Sequence, residues 1–300
     1  MKASTNNPFD SIDERMMHVV SLADHSAMLG SAGPVTFENA KPAPSATPTA
    51  AAETNPFAGE SDKDRKRRHR QYIGLAQREL KEYQKTNTLP GWSSVACPEG
   101  RGITCDELPV TKDGIYTFRA SGVVKGKKAQ EIAERHLDHN PETRLRWDNE
   151  LSHVELLESV SRDDKAGILL TCQRATHTPP VVAVREFVYI QFSFSEPSRE
   201  NKFDKKWTLL VTSVDHPLAP ERSDPVRALM MSVMVLEPFA PDIDPQTKQS
   251  TPNTAVTLYG WVNPGGLIPA WIVKAYKTKL ADRIEFLRQT LFLDEPVIKK

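Results

Sequence analysis

The segment 261–292 constrains the fold of this chain more than any other stretch. It opens with WVNPGGLIP and then continues for about two dozen residues without glycine or proline, and Pro269 suits the first turn of a helix. Apolar side chains recur there at steps of three and four, which predicts one buried helical face. They are Val273, Tyr276, Leu280, Ile284, Leu287 and Leu291. Because about 24 helical residues span roughly 36 Å, this face needs a large partner surface.

The chain before this segment is typical of strands with helices at their ends. Short apolar or alternating runs bounded by Gly, Pro and Asp predict nine strands. These are 92–96, 103–108, 116–124, 152–161, 166–172, 183–193, 207–214, 228–236 and 255–262. Helical spacing predicts helices up to residue 86 and over 127–139, with a short turn or helix at 143–147. The expected fold class is therefore α+β, with a curved antiparallel sheet wrapped around the C-terminal helix.

Charge and cysteine content exclude several classes of protein. The chain has 39 basic and 39 acidic residues, so no overall field indicates nucleic acid or membrane as a partner. Cys97, Cys105 and Cys172 are an odd set without CxxC spacing, which favours a reducing compartment. No signal peptide is visible, and the longest apolar run, 228–236, is half of what spans a bilayer. We expect a cytoplasmic protein that associates with membranes only peripherally and binds no nucleic acid.

Residues 1–62 are predicted to be a disordered tail, because 30–58 are rich in Pro, Ala, Ser and Thr. The tail contains one tripeptide twice, as Asn7-Pro8-Phe9 and Asn55-Pro56-Phe57. Asn-Pro starts a turn that projects the following aromatic ring. These tripeptides resemble the NPF ligands of EH domains on endocytic adaptors, which implies EH-domain partners, and two copies would strengthen a weak affinity. A chance match of a tripeptide is the alternative.

The run 63–70, KDRKRRHR, begins the predicted second unit, residues 63–300. Six of its residues are basic and one is acidic. Three interpretations stay open: the solvated first turns of a helix, a nuclear import signal, or a patch for anionic lipid. Positive charge at a helix start opposes the helix dipole. We therefore expect either that the helix begins later or that the run serves another purpose.

Four pieces in order resemble a known family. They are RLRWD at 144–148, REFV at 185–188, VRA at 226–228, and WVNPGGLIP at 261–269. From about residue 78 to 291 the chain is similar to START domains, the StAR-related lipid-transfer family. The resemblance implies a helix-grip fold, in which the sheet curls around the last helix and leaves a mostly apolar tunnel for one lipid. Such a tunnel removes lipid from water at about 0.8 kcal/mol per CH₂.

The resemblance also implies where the lipid binds. Arg144 and Asp148 match positions that hold the phosphate end in phosphatidylcholine-transfer members, and a guanidinium suits phosphate by its bidentate geometry. Alternation places four residues of one strand on the face that the family turns toward the tunnel: Arg185, Phe187, Tyr189 and Gln191. The other expected lipid contacts are Val233, Val235, Val273, Tyr276, Leu280, Ile284 and Leu287. A solvated Arg144 and a structural ion pair for Arg185 are the alternatives.

The expected ligand is a phospholipid, with a sterol as the alternative. Sterol-binding members carry a buried arginine where Gln191 stands and an acid where Cys172 stands, so their charged pair is absent here. Phe187 and Arg174 match only part of the cage that holds choline, which does not support choline specificity. The resemblance implies that the loop 173–182 is an Ω-loop at the tunnel mouth, which forms a lid together with the last helix.

No pattern in the sequence predicts an enzyme. There is no G-x-S-x-G, no glycine-rich phosphate loop and no HExxH. His136 and His139 stand three apart on a predicted helix, which is a weak metal signal without a third ligand. We expect a carrier or sensor of one lipid between membranes, with neither metal nor cofactor. A lipid-gated adaptor that recruits EH-domain proteins is the alternative.

Overall fold

A computed structural model of the protein describes ten stretches of the chain. They are 60–97, 102–109, 111, 115–138, 140–148, 151–163, 168–177, 183–198, 204–266 and 282–289. Residues 1–59 of the predicted tail, with both NPF tripeptides, lie outside the described residues, as do Val273, Tyr276 and Leu280. Within the described stretches, no helix is long and apolar enough to cross a membrane.

Ten strands in the described part of the chain form a single sheet. They are β1 Ser93–Val95, β2 Ile103–Glu107, β3 Tyr116–Lys125, β4 Leu151–Asp163, β5 Ile168–His177, β6 Arg185–Pro197, β7 Lys205–Ser213, β8 Val226–Arg227, β9 Leu229–Ile243 and β10 Ser250–Asn263. Their order is β1-β2-β3-β10-β9-β7-β6-β5-β4, and neighbours along this path are antiparallel. The two-residue β8 pairs parallel to β6. The predicted α+β class and all nine predicted strands are confirmed, and β8 is the addition.

Three helices and one further helical stretch pack on this sheet: α1 Asp62–Asn87, α2 Ala129–His136, α3 Pro141–Trp147 and the helical residues 282–289. Of the two alternatives for the basic run, the later helix start is wrong, because α1 already includes residues 63–70. The Ser61 side chain caps the helix by accepting the Asp64 N–H at 3.2 Å. Asp62 and Asp64 in the first turn offset the dipole that the basic run opposes.

We call the sheet face under α1 the outer face. Tyr72, Ile73, Ala76 and Leu80 of α1 pack there against side chains of six strands. The strand residues include Cys172, Ile190, Phe192, Leu210, Val233 and Tyr259. The alternation of each strand sends every second side chain to this face.

The opposite, inner face packs against α2 and the helical residues 282–289. Ile284 and Leu287 lie in one apolar cluster with Leu209, Met234 and Leu258. Gly122 of β3 lets the helical residues come close, because a Cβ there would lie 3.1 Å from a methyl carbon of Ile284. The sheet therefore has two separate cores, and the last helical residues belong to the inner one.

Candidate functional site

A cavity of about 260 Å³ lies on the inner face of the sheet, bounded by α3 and the helical residues 282–289. Most of its wall is apolar and comes from β3, β7, β9, β10 and the helical residues. This wall includes Phe118, Leu209, Met230, Met234, Leu258 and Phe286. An apolar wall of this kind favours hydrocarbon over water.

Three charged side chains gather at one part of the cavity wall. Asn140 caps α3 and Pro141 opens it, so Arg144 and Asp148 stand four residues apart on one side of the chain. The Arg144 guanidinium donates to a carboxylate oxygen of Asp148 at 3.1 Å, and Arg283 approaches the other oxygen at 3.6 Å. Asp148 is only 1 % exposed. A buried carboxylate between two guanidiniums leaves this group with one positive charge in excess.

A second polar group on the wall is a chain of side-chain hydrogen bonds. The Tyr189 hydroxyl donates to Gln173 Oε1 at 3.2 Å, and Gln173 Nε2 donates to Gln191 Oε1 at 2.8 Å. Burial raises the pKa of Tyr189, which therefore stays a neutral donor. Because Gln191 Oε1 is already an acceptor, its Nε2 is left as a donor with no partner among the described residues. Gln191 lines the cavity, so this amide is available to a ligand oxygen.

Six of the predicted lipid contacts lie on the cavity wall: Arg144, Asp148, Phe187, Tyr189, Gln191 and Leu287. Whether they touch a lipid stays a prediction. Their placement on one wall follows from the alternation of β6 and from the single turn between Arg144 and Asp148.

Three other predicted contacts lie elsewhere. Arg185 is buried, but it donates to the backbone carbonyls of Ala183, Pro264 and Gly265. It therefore holds the loop after β10 instead of facing the cavity. Val233 and Val235 belong to the outer face and pack in the cluster under α1. On β9 the cavity is lined by Met230, Met231, Ser232 and Met234 and by neither valine, so these two valines were placed on the wrong face.

Ile284 is buried but is not part of the cavity wall. It packs in the inner core against β2 and β3, beside Gly122 and Ile103. Of the predicted buried face, Ile284 and Leu287 are confirmed as buried, and the surface that covers Ile284 is the sheet itself. Val273, Tyr276 and Leu280 lie outside the described residues.

The register of β5 corrects two expectations about ligand specificity. Thr171 stands opposite Gln191, and Cys172 stands opposite Ile190 on the outer face. Cys172 therefore cannot occupy the position of an acid that pairs across the cavity. Arg174 also turns outward, where it binds Glu186 at 2.6 Å, so it is no part of a cage. The expected loop 173–182 is also wrong at its start, because β5 continues to His177.

Two polar residues of the site escaped the sequence reasoning: Arg283 lines the cavity, and Gln173 forms hydrogen bonds with Tyr189 and Gln191 of its wall. Gln173 was assigned to a loop, although the alternation of Thr171, Gln173 and Ala175 carried a strand signal. Arg283 stands next to the buried stripe, and only the position of α3 relative to the last helical residues shows its contact with Asp148. No sequence pattern could have supplied that contact.

A cluster on the outer face has the composition of a metal site but not its chemistry. Candidate ligand atoms of Glu158, Cys172 and His216 lie within 4.8 Å of one another. The Leu218 N–H donates to His216 Nδ1 at 3.2 Å, and Nε2 contacts Glu158 at 3.3 Å, so both ring nitrogens already have hydrogen-bond partners. Arg68 forms an ion pair with the Glu158 carboxylate as well. The arrangement is a hydrogen-bonded ion network.

Comparison with known proteins identifies the family. The START domain model matches residues 74–291, and the chain belongs to this family. It is 24 % identical over 177 residues to the mouse phosphatidylcholine transfer protein, covering 58 % of this chain and 72 % of that protein.

Two solved structures share the fold. The human StAR-related lipid transfer protein 5 superposes with a TM-score of 0.57 at 17 % identity, over 74 % of this chain and 97 % of the other. Human STARD10 gives a TM-score of 0.52 at 16 % identity, over 77 % of this chain and 80 % of the other.

Proposed function

We propose that this protein binds one lipid in the inner-face cavity and carries or senses it between membranes, and that the lipid is a phospholipid. The observation that carries the proposal is a charged group set into an apolar wall. Arg144, Asp148 and Arg283 meet beside side chains such as Phe118 and Leu258. A ligand that matches this wall has both hydrocarbon and an anionic group.

The charge of the polar group favours phosphate. Two guanidiniums share one carboxylate, so a phosphodiester with one negative charge would balance the excess. Guanidinium and phosphate match in geometry as well as in charge. The Gln191 amide offers a further donor on the same wall, which suits an ester carbonyl of a glycerolipid. The mouse relative, a phosphatidylcholine transfer protein, agrees with this ligand class.

A sterol is the second candidate ligand. The Gln191 amide would serve its single hydroxyl as well as it serves an ester. A sterol carries no charge, so it would gain nothing from the two guanidiniums beside Asp148. The sterol therefore ranks behind the phospholipid.

The bound lipid tests this proposal directly. Native mass spectrometry of the recombinant protein, followed by lipid extraction, should show one phospholipid per chain. The protein should also move labelled phospholipid between vesicles. A protein that stays empty and transfers nothing would overturn the proposal. One sterol per chain would show that the ligand is a sterol, the second candidate, and not a phospholipid.

The NPF tripeptides support an additional role as an adaptor. Phe9 and Phe57 would each anchor an EH domain, and occupancy of the cavity would gate recruitment. We expect EH-domain pull-down by the wild type, with loss in the double variant Phe9→Ala, Phe57→Ala. Equal pull-down by the two proteins would exclude the adaptor.

Both roles place the protein in the cytoplasm with transient membrane contact, which fractionation of cells would test.

A further inference from the structure

The solvent side of α1 carries a continuous row of basic residues. We name this row the basic stripe: Lys63, Arg67, Arg70, Arg78, Lys81 and Lys85. Its members follow one another at helical steps of three and four, with the exposed Gly74 filling the one gap. The stripe runs from Lys63 to Lys85, a length of roughly 33 Å in a helix. Arg67, Arg78 and Lys85 are 69 %, 73 % and 70 % exposed.

The acidic residues of α1 avoid this row. The helix has nine Lys and Arg against four acidic side chains. Asp62, Asp64, Glu79 and Glu82 stand at angles to either side of the stripe. Three stripe residues make ion pairs with them at 3.0 to 3.8 Å, and such exposed pairs are weak and rearrange readily. The row therefore keeps an excess of positive charge, in a chain whose total charge is balanced.

The stripe lies directly opposite the side of α1 that packs on the sheet. Tyr72, Ile73, Ala76 and Leu80 bury that other side. The stripe is thus held rigidly at the surface, and it points away from the sheet and from the cavity beyond it. This surface is not part of the lipid-binding cavity.

The shape and composition of the stripe indicate its partner. Protein partners are held by central apolar or aromatic anchors, and the stripe offers none along its length. A duplex is read by a helix that enters the major groove, whereas α1 is half embedded in the outer core. A long, rigid, uniformly cationic row fits a flat anionic surface, where each Lys or Arg adds attraction to acidic headgroups.

We infer that the basic stripe of α1 is a docking surface for anionic membranes. It would tether the protein with the back of the sheet toward the bilayer, and it is a site separate from the cavity. This inference goes beyond the proposed function and stands or falls without it, because vesicle binding requires no cavity ligand.

Vesicle co-sedimentation of the full chain tests the inference. We expect binding to phosphatidylcholine vesicles that contain about 30 mol % phosphatidylserine, and little binding to vesicles of phosphatidylcholine alone. Raising the salt from about 0.1 M to about 0.5 M should release the protein, because screening shortens the reach of each charge. At about fivefold per residue, the triple variant Arg70→Gln, Arg78→Gln, Lys81→Gln should bind roughly a hundredfold more weakly.

Two further variants keep the test decisive. The control Lys125→Gln, Lys205→Gln, Lys248→Gln removes three exposed charges outside α1 and should bind as the wild type does. If the first triple variant misfolds by circular dichroism, Lys63→Gln, Arg67→Gln, Lys85→Gln removes the other half of the stripe.

Three results would overturn the inference. They are equal binding to neutral and acidic vesicles, equal losses in the control and stripe variants, and tighter binding to a random-sequence DNA duplex than to acidic vesicles. Co-purified lipid should persist in the stripe variants. Its absence from every protein, including the wild type, would count against the proposed cavity function and not against the stripe.

Discussion

The two faces of the sheet share the same strands but differ in how their polar groups are satisfied. On the outer face, Glu158 accepts from Arg68 at 2.5 Å, His69 contacts it at 2.8 Å and His216 at 3.3 Å. On the inner face, Gln191 keeps a donor without a partner among the described residues. A closed network contributes to stability, whereas an open donor beside a cavity is suited to a ligand. The polar network of the outer face therefore stabilises the fold, while the polar group of the inner face is the one that we propose for ligand binding.

The outer network is closed because its side chains also form hydrogen bonds with residues other than Glu158. Arg68 also binds Glu60 at 2.8 Å, and the Tyr72 hydroxyl donates to the Asp215 carbonyl at 2.8 Å. The His216 side chain is 0 % exposed. These contacts join α1, β4 and the loop after β7, which are far apart in the sequence. The network therefore fixes α1 onto the sheet.

The largest effect is expected from Glu158→Ala. The substitution removes the carboxylate that Arg68, His69 and His216 share, and breaking a buried pair costs about 3–5 kcal/mol. Urea unfolding would measure the loss in the free energy of unfolding. The folded fraction should keep its bound lipid, because the cavity lies on the other face.

The matched control for this change is Glu155→Ala on the same strand. Glu155 is 47 % exposed and lies 3.8 Å from Arg174, so the unfolding free energy should change by less than about 0.5 kcal/mol. Equal losses in the free energy of unfolding from the two substitutions would show that the network on the outer face contributes no more to stability than an exposed ion pair does.

The fold could be predicted from sequence because its signals are local. Alternation in 183–193 and helical spacing around Tyr72 and Leu80 each lie within one element, and all nine strands were found. Local patterns do not state which face of a strand meets which helix. Val233 and Val235 show this limit, because β9 is apolar on both faces and its alternation left the choice open.

The next effect, on the binding side of the comparison, is expected from Arg283→Gln. The Arg283 side chain is 42 % exposed and lies 3.6 Å from Asp148, so its removal should change stability by less than about 1 kcal/mol. A hydrogen bond to a charged group contributes about 1.5–3 kcal/mol. Binding of a fluorescent phospholipid should therefore weaken between about tenfold and about hundredfold.

Arg146→Gln is the control for this substitution, since Arg146 is an exposed residue of α3 and does not line the cavity. Its affinity for the phospholipid should equal that of the wild type. If Arg283→Gln also bound normally, the phosphate would not be held by the charged group.

A smaller effect is expected from Gln191→Leu. The change removes the amide donor, and a neutral hydrogen bond contributes about 1 kcal/mol, so phospholipid affinity should fall roughly fivefold. Gln173 keeps its contacts with Thr171 and Tyr189, and the orphaned donor disappears. The melting temperature should stay equal or rise slightly. A large loss of stability with unchanged affinity would show that Gln191 stabilises the fold and does not bind the ligand.

The site was less predictable than the fold because it is built from contacts between distant segments. Arg144 and Asp148 were found through the resemblance of one short motif, and they lie four residues apart. Their third partner, Arg283, comes from a segment 135 residues further along the chain. The hydrogen bond between Gln173 and Gln191 likewise depends on the register of β5 and β6, which no spacing within either strand encodes.

The smallest effect is a dependence of stability on pH that belongs to the outer face. Burial by itself would raise the pKa of Glu158, but hydrogen bonds from His216, His69 and Arg68 lower it well below its usual range. A carboxyl whose pKa is lower in the folded state stabilises the protein above its unfolded pKa, about 4.3, and this contribution is lost as the pH falls. Between pH 5 and pH 4 the loss is about 0.5 kcal/mol. Urea unfolding at both pH values should therefore show that the gap between wild type and Glu158→Gln narrows by about this amount. A gap that stays constant would mean that the pKa of Glu158 is not lower in the folded protein than in the unfolded chain. This result would contradict the place of Glu158 at the centre of the closed network.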